Sequence, residues 1–101
     1  MKTVFVVEKE DNVGTAVGEP IRAGETVGTE GRERDLTLVA RADIAYGHKI
    51  ALRDIPKGAQ VTKYGLSIGT ALADIRAGDH VHIHNVESHR GRGDKTAQSA
   101  G

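Results

Sequence analysis

The 101-residue chain has no cysteine, no tryptophan, two prolines, two tyrosines and one phenylalanine. The lack of cysteine excludes disulfides, thiolate metal ligands and cysteine nucleophiles. With so few aromatic side chains, the core must be built from Val, Ile, Leu and Ala, and a chain of this length has room for one such domain. A small aliphatic core gives modest stability, so we expect a partner subunit or a second copy to cover part of the surface.

Neither sign of charge is in excess, because Lys and Arg total 14 and Asp and Glu also total 14. Proteins that bind nucleic acid or anionic membranes usually carry a basic excess, which argues against both partners. Long apolar runs are also missing: residues 4–7 form a short one, below the roughly 7–15 residues of a signal peptide or the roughly 20 of a membrane span. We therefore expect a cytoplasmic protein.

A seven-residue turn phrase, Ile-x-x-Gly-x-x-Val, is present three times, at 21–27, 55–61 and 75–81. Glycine adopts the positive φ that many tight turns need, and the flanking β-branched residues favour strands. Each copy therefore predicts a turn that leads into a new strand. Further strands are predicted at 3–7, 35–40 and 49–53, with a hairpin tip at 28–34.

Two short helical segments are also predicted. Asp11 or Asn12 is a suitable cap for one helical turn, and the apolar residues between Gly65 and Gly78 fit a two-turn helix over 66–74. The fold class is therefore mostly β with one or two short helices. The apolar pattern stops after Val86, which predicts a domain over 1–88 and a flexible polar tail over 89–101.

The third turn phrase runs into His80-Val81-His82-Ile83-His84-Asn85. If the strand extends over 75–83, alternate side chains share one face, and the three imidazoles lie there together. Neighbouring imidazoles can bind one metal ion, while a solvated polar strand face is the simpler explanation. His80 belongs to the turn phrase, so His82, His84 and Asn85 are the stronger candidates. The Asn85 amide can both donate and accept, which suits it to orient a ligand.

Two other segments are candidates for chemistry. His48 and Lys49 follow a glycine, an arrangement that can hold an anionic substrate or move a proton. Lys63 and Tyr64 precede another glycine and can bind a carboxylate. Taken alone, each segment is better explained as an ordinary polar turn or strand end.

Four segments follow one another in a characteristic order: GHKIAL at 47–52, DIPKGAQV at 54–61, KYGLSIGTA at 63–71 and DIRAGDHVHIHN at 74–85. Together they resemble the SAF domain of the altronate/galactarate dehydratase family, which also includes the small subunit of sulfolactate sulfo-lyase. The resemblance covers residues 2–88 and is strongest over 44–86. It implies a β-clip fold.

The same resemblance implies a role. The chain is similar to a stand-alone small subunit of a hydro-lyase that removes water from a sugar acid, giving a 2-keto-3-deoxy acid. The implied partner is a large catalytic subunit, and the implied cofactor is a divalent metal shared with it, Fe²⁺ before Mn²⁺ or Mg²⁺. Carried over to this chain, the implied catalytic residues are His48 and His84, and the implied metal ligands are His82 and His84. The implied substrate contacts are Lys49, Lys63, Tyr64 and Asn85.

Three alternatives remain open. The sulfolactate sulfo-lyase small subunit differs only in its leaving group. A non-catalytic carbohydrate-binding module needs an exposed aromatic or apolar patch, of which three aromatic residues offer little. A free metal-binding protein would bind metal tightly without a partner, whereas the dehydratase subunit is expected to bind it weakly and to be inactive alone.

Overall fold

The computed structural model describes residues 1–33 and 35–88, so the predicted tail lies outside the described residues. Within them there are nine strands: β1 Lys2–Val6, β2 Val13–Ala16, β3 Thr26–Gly31, β4 Thr37–Val39, β5 Lys49–Ala51, β6 Gln60–Lys63, β7 Leu66–Ala71, β8 His80–Val81 and β9 Val86–Ser88. A six-stranded sheet has the order β4-β3-β1-β2-β5-β8, and a three-stranded sheet the order β6-β7-β9. Among these nine strands, only β1 and β3 pair in parallel. This confirms the mostly-β prediction and agrees with a β-clip type domain.

Both predicted helices are wrong, and the described residues contain no helix. Residues 66–71 form β7, which pairs with β6 on one side and β9 on the other. A Cβ atom on Gly69 would lie 2.7 Å from the Glu87 carbonyl oxygen, so the missing side chain permits this close pairing. Residues 13–16 form β2 between β1 and β5. In both cases strand pairing outweighs a weak local preference for helix.

The turn phrases are confirmed, and a fourth copy lies at 44–50, where isoleucine replaces the final valine. Their glycines all have positive φ: Gly24 91°, Gly47 82°, Gly58 86° and Gly78 92°. The phrases associate in pairs, because an isolated bridge joins Ile21 to Ile44 and another joins Ile55 to Ile75. All four isoleucines are buried. The repeated phrase is therefore a structural unit that closes the strands around the core.

Two aliphatic clusters form that core. One centres on β1, β2 and β3 and includes Val4, Val6 and Val27, and the other joins β2 and β5 to β6 and β7 through Val13, Ala51 and Val61. The second cluster packs the small sheet against the large one. Residues at the start of β5 and at the end of β6 consequently line one common groove.

Two further predictions, one of a hairpin tip and one of a strand, need correction. The predicted hairpin tip at 28–34 is mostly strand, because β3 continues to Gly31 alongside β1. The predicted strand over 75–83 is shortened to the two residues of β8, and a turn follows over 82–85. Asn85 stabilises that turn, because its Oδ1 accepts the His82 backbone N–H at 2.9 Å and its Nδ2 donates to the His80 carbonyl at 2.8 Å. No helix among the described residues is long and apolar enough to cross a membrane.

Candidate functional site

The turn phrases at 44–50 and 75–81 bring two histidines together. His48 follows Gly47 directly before β5, and β5 pairs with β8 so that Ile50 lies opposite His80. His48 Nδ1 consequently lies 2.8 Å from His80 Nε2, a hydrogen-bonding distance. One of the two ring nitrogens must carry the proton and the other must accept it.

Two further imidazoles extend this pair into a histidine cluster of His48, His80, His82 and His84. The His82 ring stacks on His48 with centroids 4.3 Å apart, and the His84 ring stacks on His80 at 5.3 Å. One ring nitrogen from each of His48, His80 and His82 lies within 4.8 Å of the other two. His84 is exposed and is not part of that nitrogen group.

The environment of His80 and His82 favours their neutral form. Burial lowers the pKa of His80, and the neighbouring charges of His48, His84 and His82 lower it further. Burial also lowers the pKa of His82, with His48 and Lys49 as the next causes. A neutral imidazole is the form that binds a metal ion, so this environment favours metal binding over protonation at neutral pH.

The three nitrogens are a suitable donor set for a divalent metal. Imidazole ligands suit borderline cations such as Fe²⁺ or Zn²⁺, whereas Mg²⁺ prefers oxygen. No described carboxylate belongs to the group. Three nitrogen ligands leave positions for ligands from a substrate or a partner.

A groove of about 500 Å³ lies beside the cluster. It collects most of the side chains that the sequence singled out, namely Lys49, Lys63, Tyr64 and His82. The remaining lining is mainly apolar and includes Leu66, Ile68, Ile83 and Val86. A second concavity of about 340 Å³ is lined by His48 and His80 together with Arg22 and Asp43. The cluster is therefore accessible from both concavities.

Lys63 is a buried cation, with 7% of its surface exposed. Its Nζ lies 3.7 Å from the centroid of the Tyr64 ring, a cation–π contact. The Lys63 ammonium lowers the pKa of the Tyr64 phenol, first by hydrogen bonding and then by its charge. The ion pairs among the described residues are Lys2–Glu25 and Arg41–Asp79, so no described carboxylate neutralises Lys63. An unneutralised, buried ammonium that lines a groove favours an anionic ligand there.

The structure separates the remaining candidates by their contacts. Both polar atoms of the Asn85 amide are engaged by the backbone of the 80–85 turn, so the side chain holds His82 in place. His80, the member that sequence reasoning ranks last, is the hydrogen-bond partner of His48. The fourth turn phrase at 44–50 is the signal that sequence reasoning missed, since it places His48 in a turn equivalent to the one before His80.

Sequence comparisons show which known proteins the chain is similar to. The model of the altronate/galactarate dehydratase SAF domain matches residues 2–89. Altronate dehydratase of Escherichia coli (strain K12) is 51% identical over 78 residues, which are 77% of this chain and 15% of that protein. The (2R)-sulfolactate sulfo-lyase subunit alpha of Chromohalobacter salexigens is 39% identical over 93 residues, covering 89% of this chain and 99% of that protein.

Altronate dehydratase of Bacillus subtilis (strain 168) is 38% identical over 88 residues, which are 87% of this chain and 17% of that protein. The match to this chain thus spans about a sixth of each altronate dehydratase and nearly all of the sulfo-lyase subunit. The family match over residues 2–89 takes in the four turn phrases, the Lys49 and Lys63 segments and the histidine segment. The chain belongs to the altronate/galactarate dehydratase SAF domain family.

Proposed function

We propose that the chain is the small subunit of a two-subunit hydro-lyase that dehydrates a sugar acid of the altronate or galactarate type to a 2-keto-3-deoxy acid. One observation carries the proposal: His48, His80 and His82 converge beside a groove lined by Lys63, which forms no ion pair with any described carboxylate. Nitrogen donors can hold a Lewis-acid metal, and a cation can bind the carboxylate, and both would stabilise the negative charge that forms when the neighbouring proton is removed. The large catalytic subunit supplies the rest of the enclosed site.

His48, His80 and His82 would hold the divalent metal of this site, and Fe²⁺ would suit three imidazoles better than Mn²⁺ or Mg²⁺. When bound, it supplies Lewis-acid stabilisation of the negative charge that develops on the substrate carboxylate as the neighbouring proton leaves. The partner subunit completes the ligand set. We therefore expect weak metal binding by the isolated chain.

The remaining side chains bind substrate and move protons. Lys63 and Lys49 bind the acid group of the substrate in the groove, and the Tyr64 phenol beside Lys63 donates to it. His84 is exposed and its ring stacks on the His80 ring, and we assign its nitrogens to proton transfer. His48, the second proposed catalytic residue, would act as a metal ligand together with His80 and His82.

A second candidate is the small subunit of a sulfolactate sulfo-lyase, which eliminates sulfite in place of water. The observation that favours it is the alignment over 99% of a protein named as a subunit of that enzyme. The 51% identity to altronate dehydratase favours dehydration. Both substrates are hydroxy acids, so the same lysines would serve either reaction.

The test is a pull-down of the tagged chain from its native lysate, followed by assays of the purified pair on altronate, galactarate and sulfolactate. We expect a partner of several hundred residues to co-purify with the chain. Formation of the keto-acid product should be lost when the chain in that complex carries His48→Ala or His84→Ala. Lys57→Ala, which changes an exposed lysine that lines neither of the two concavities, is the matched control and should retain activity. Recovery of the chain alone, with glycan or metal binding and no lyase activity, would overturn the proposal.

A further inference from the structure

Asp11 is a buried carboxylate with three backbone hydrogen bonds. It lies between β1 and β2 with none of its surface exposed. Its Oδ2 accepts the backbone N–H of Glu8 at 3.0 Å and of Tyr64 at 3.1 Å, and its Oδ1 accepts that of Gly65 at 2.9 Å. One side chain thus ties the segment before β2 to a turn more than fifty residues later.

That turn is the two-residue connection between β6 and β7. Tyr64 has φ 60° and Gly65 has φ 70°, and positive φ at both central residues is the requirement of a type I′ hairpin. Glycine adopts this conformation without penalty, but tyrosine does not. Among the described residues, Tyr64 is the only non-glycine with positive φ. Something outside the turn must therefore hold it there.

The turn decides where two groove residues point. Lys63 is the last residue of β6 and Tyr64 the first of the turn, and both line the groove that contains His82. The Lys63 ammonium lies over the Tyr64 ring at 3.7 Å. If Tyr64 returned to negative φ, its ring would leave Lys63, because the side-chain direction follows the backbone.

We propose that Asp11 is a positioning residue, which holds the Tyr64–Gly65 turn in its left-handed conformation and thereby orients the Lys63 ammonium and the Tyr64 phenol in the groove. The importance of this orientation for substrate binding rests on the proposed function. The effect on the turn itself does not.

The neighbouring contacts distinguish this role from general support of the fold. Asn12 joins the two sheets through β6, since its Nδ2 donates to the Gln60 carbonyl and its Oδ1 accepts the Thr62 backbone N–H. The Asp11 carboxylate instead directs two of its three hydrogen bonds at the turn. Other aspartates accept one N–H each at exposed turns, as Asp74 does from Lys57 at 2.9 Å. Asp74→Asn is therefore the matched control for Asp11→Asn.

The pKa of the Tyr64 phenol should change in opposite directions depending on whether Asp11 holds the turn. Lys63 lowers the pKa of Tyr64, whereas the Asp11 charge raises it. Removing the Asp11 charge with an unchanged turn would lower the pKa of Tyr64 further. If Asp11→Asn releases the turn, Lys63 separates from the ring and the pKa rises instead. Phenolate absorbance in a Tyr46→Phe background isolates Tyr64, since the chain has two tyrosines.

We expect Asp11→Asn to raise the pKa of Tyr64, to move its amide–Hα coupling constant away from the left-handed value, and to accelerate amide exchange at Tyr64 and Gly65 about tenfold or more. Asp74→Asn should change none of these. In a Tyr64→Gly background, Asp11→Asn should destabilise the fold much less, because glycine adopts positive φ without strain. That double variant also serves if Asp11→Asn alone does not fold.

In the reconstituted pair, we expect Asp11→Asn to raise KM about tenfold with little change in kcat, as when a binding contact is lost. An unchanged coupling constant with a lowered Tyr64 pKa would overturn the positioning role. So would equal destabilisation by Asp11→Asn in the wild-type and Tyr64→Gly backgrounds. If the wild-type pair has no lyase activity, the proposed function fails, while the spectroscopic readouts still decide the role of Asp11.

Discussion

His48 Nδ1 lies 2.8 Å from His80 Nε2, although the two residues are 32 positions apart in the chain. The contact joins two turn phrases, one leading into β5 and the other into β8. A nitrogen that donates or accepts in this hydrogen bond cannot at the same time bind a metal. Metal binding through either of these two nitrogens would therefore compete with the hydrogen bond, which is a physical reason to expect weak binding by the isolated chain.

Metal affinity should depend on His80 more than on His84. We expect His80→Ala to weaken Co²⁺ binding about 10- to 100-fold, because it removes one nitrogen of the three-histidine group. His84→Ala should retain wild-type affinity within about threefold, since its ring stacks on His80 without joining the group. Titration with Co²⁺, followed by its visible absorption, measures both. Equal losses in the two variants would refute the His48–His80–His82 assignment.

The stability of the metal-free chain should fall with pH below about 6.5. The pKa of His80 and of His82 is lowered in the folded chain from the usual 6.5. Below that pH the unfolded chain takes up protons before the folded one, so unfolding is favoured until the pH passes the folded values. Above it both states are neutral and these groups contribute nothing. The free energy of unfolding can be measured by urea titration over this pH range with a chelator present. It should depend less steeply on pH in His80→Asn than in the wild-type chain.

The turn after β8 should depend on the Asn85 amide. Asn85→Ala removes two hydrogen bonds to backbone groups, at His82 N–H and His80 C=O, and should cost about 1–3 kcal/mol. Asn85→Asp keeps the acceptor but loses the donor, so its cost should be smaller. Urea unfolding measures the stabilities, and the His82 ring resonances report whether the ring leaves His48. Identical costs for the two variants would contradict a two-bond role.

Two turn glycines should differ in their tolerance of alanine. Gly58 and Gly78 have φ 86° and 92°, so an added side chain is strained at either. A Cβ at Gly58 meets nothing within 4 Å, but at Gly78 it would lie 2.2 Å from the Val39 carbonyl oxygen. We expect Gly58→Ala to cost about 1–2 kcal/mol and Gly78→Ala about 3 kcal/mol or more. Equal losses in thermal unfolding would show that φ strain alone matters.

The errors of sequence reasoning share a cause. Residues 66–74 carry a weak helical pattern, but the turn at Tyr64 and Gly65 places Leu66–Ala71 between two other strands. The tyrosine at positive φ gives no local signal, because its partner Asp11 is distant in the chain. The contact between His48 and His80 has no local signal either, because the β5–β8 pairing creates it. Pairing partners depend on burial summed over the whole chain.

The sequence by itself determined the local features of this protein. Its glycines specify the turns, its aliphatic residues specify a small strand-built core, and its four motif segments identify the family. Which histidines meet, and which side chain holds the Tyr64–Gly65 turn, depend on tertiary contacts. Backbone preferences act between neighbours and are visible in the sequence. The site depends on contacts between residues 32 or more positions apart, and these exist only once the strands have paired.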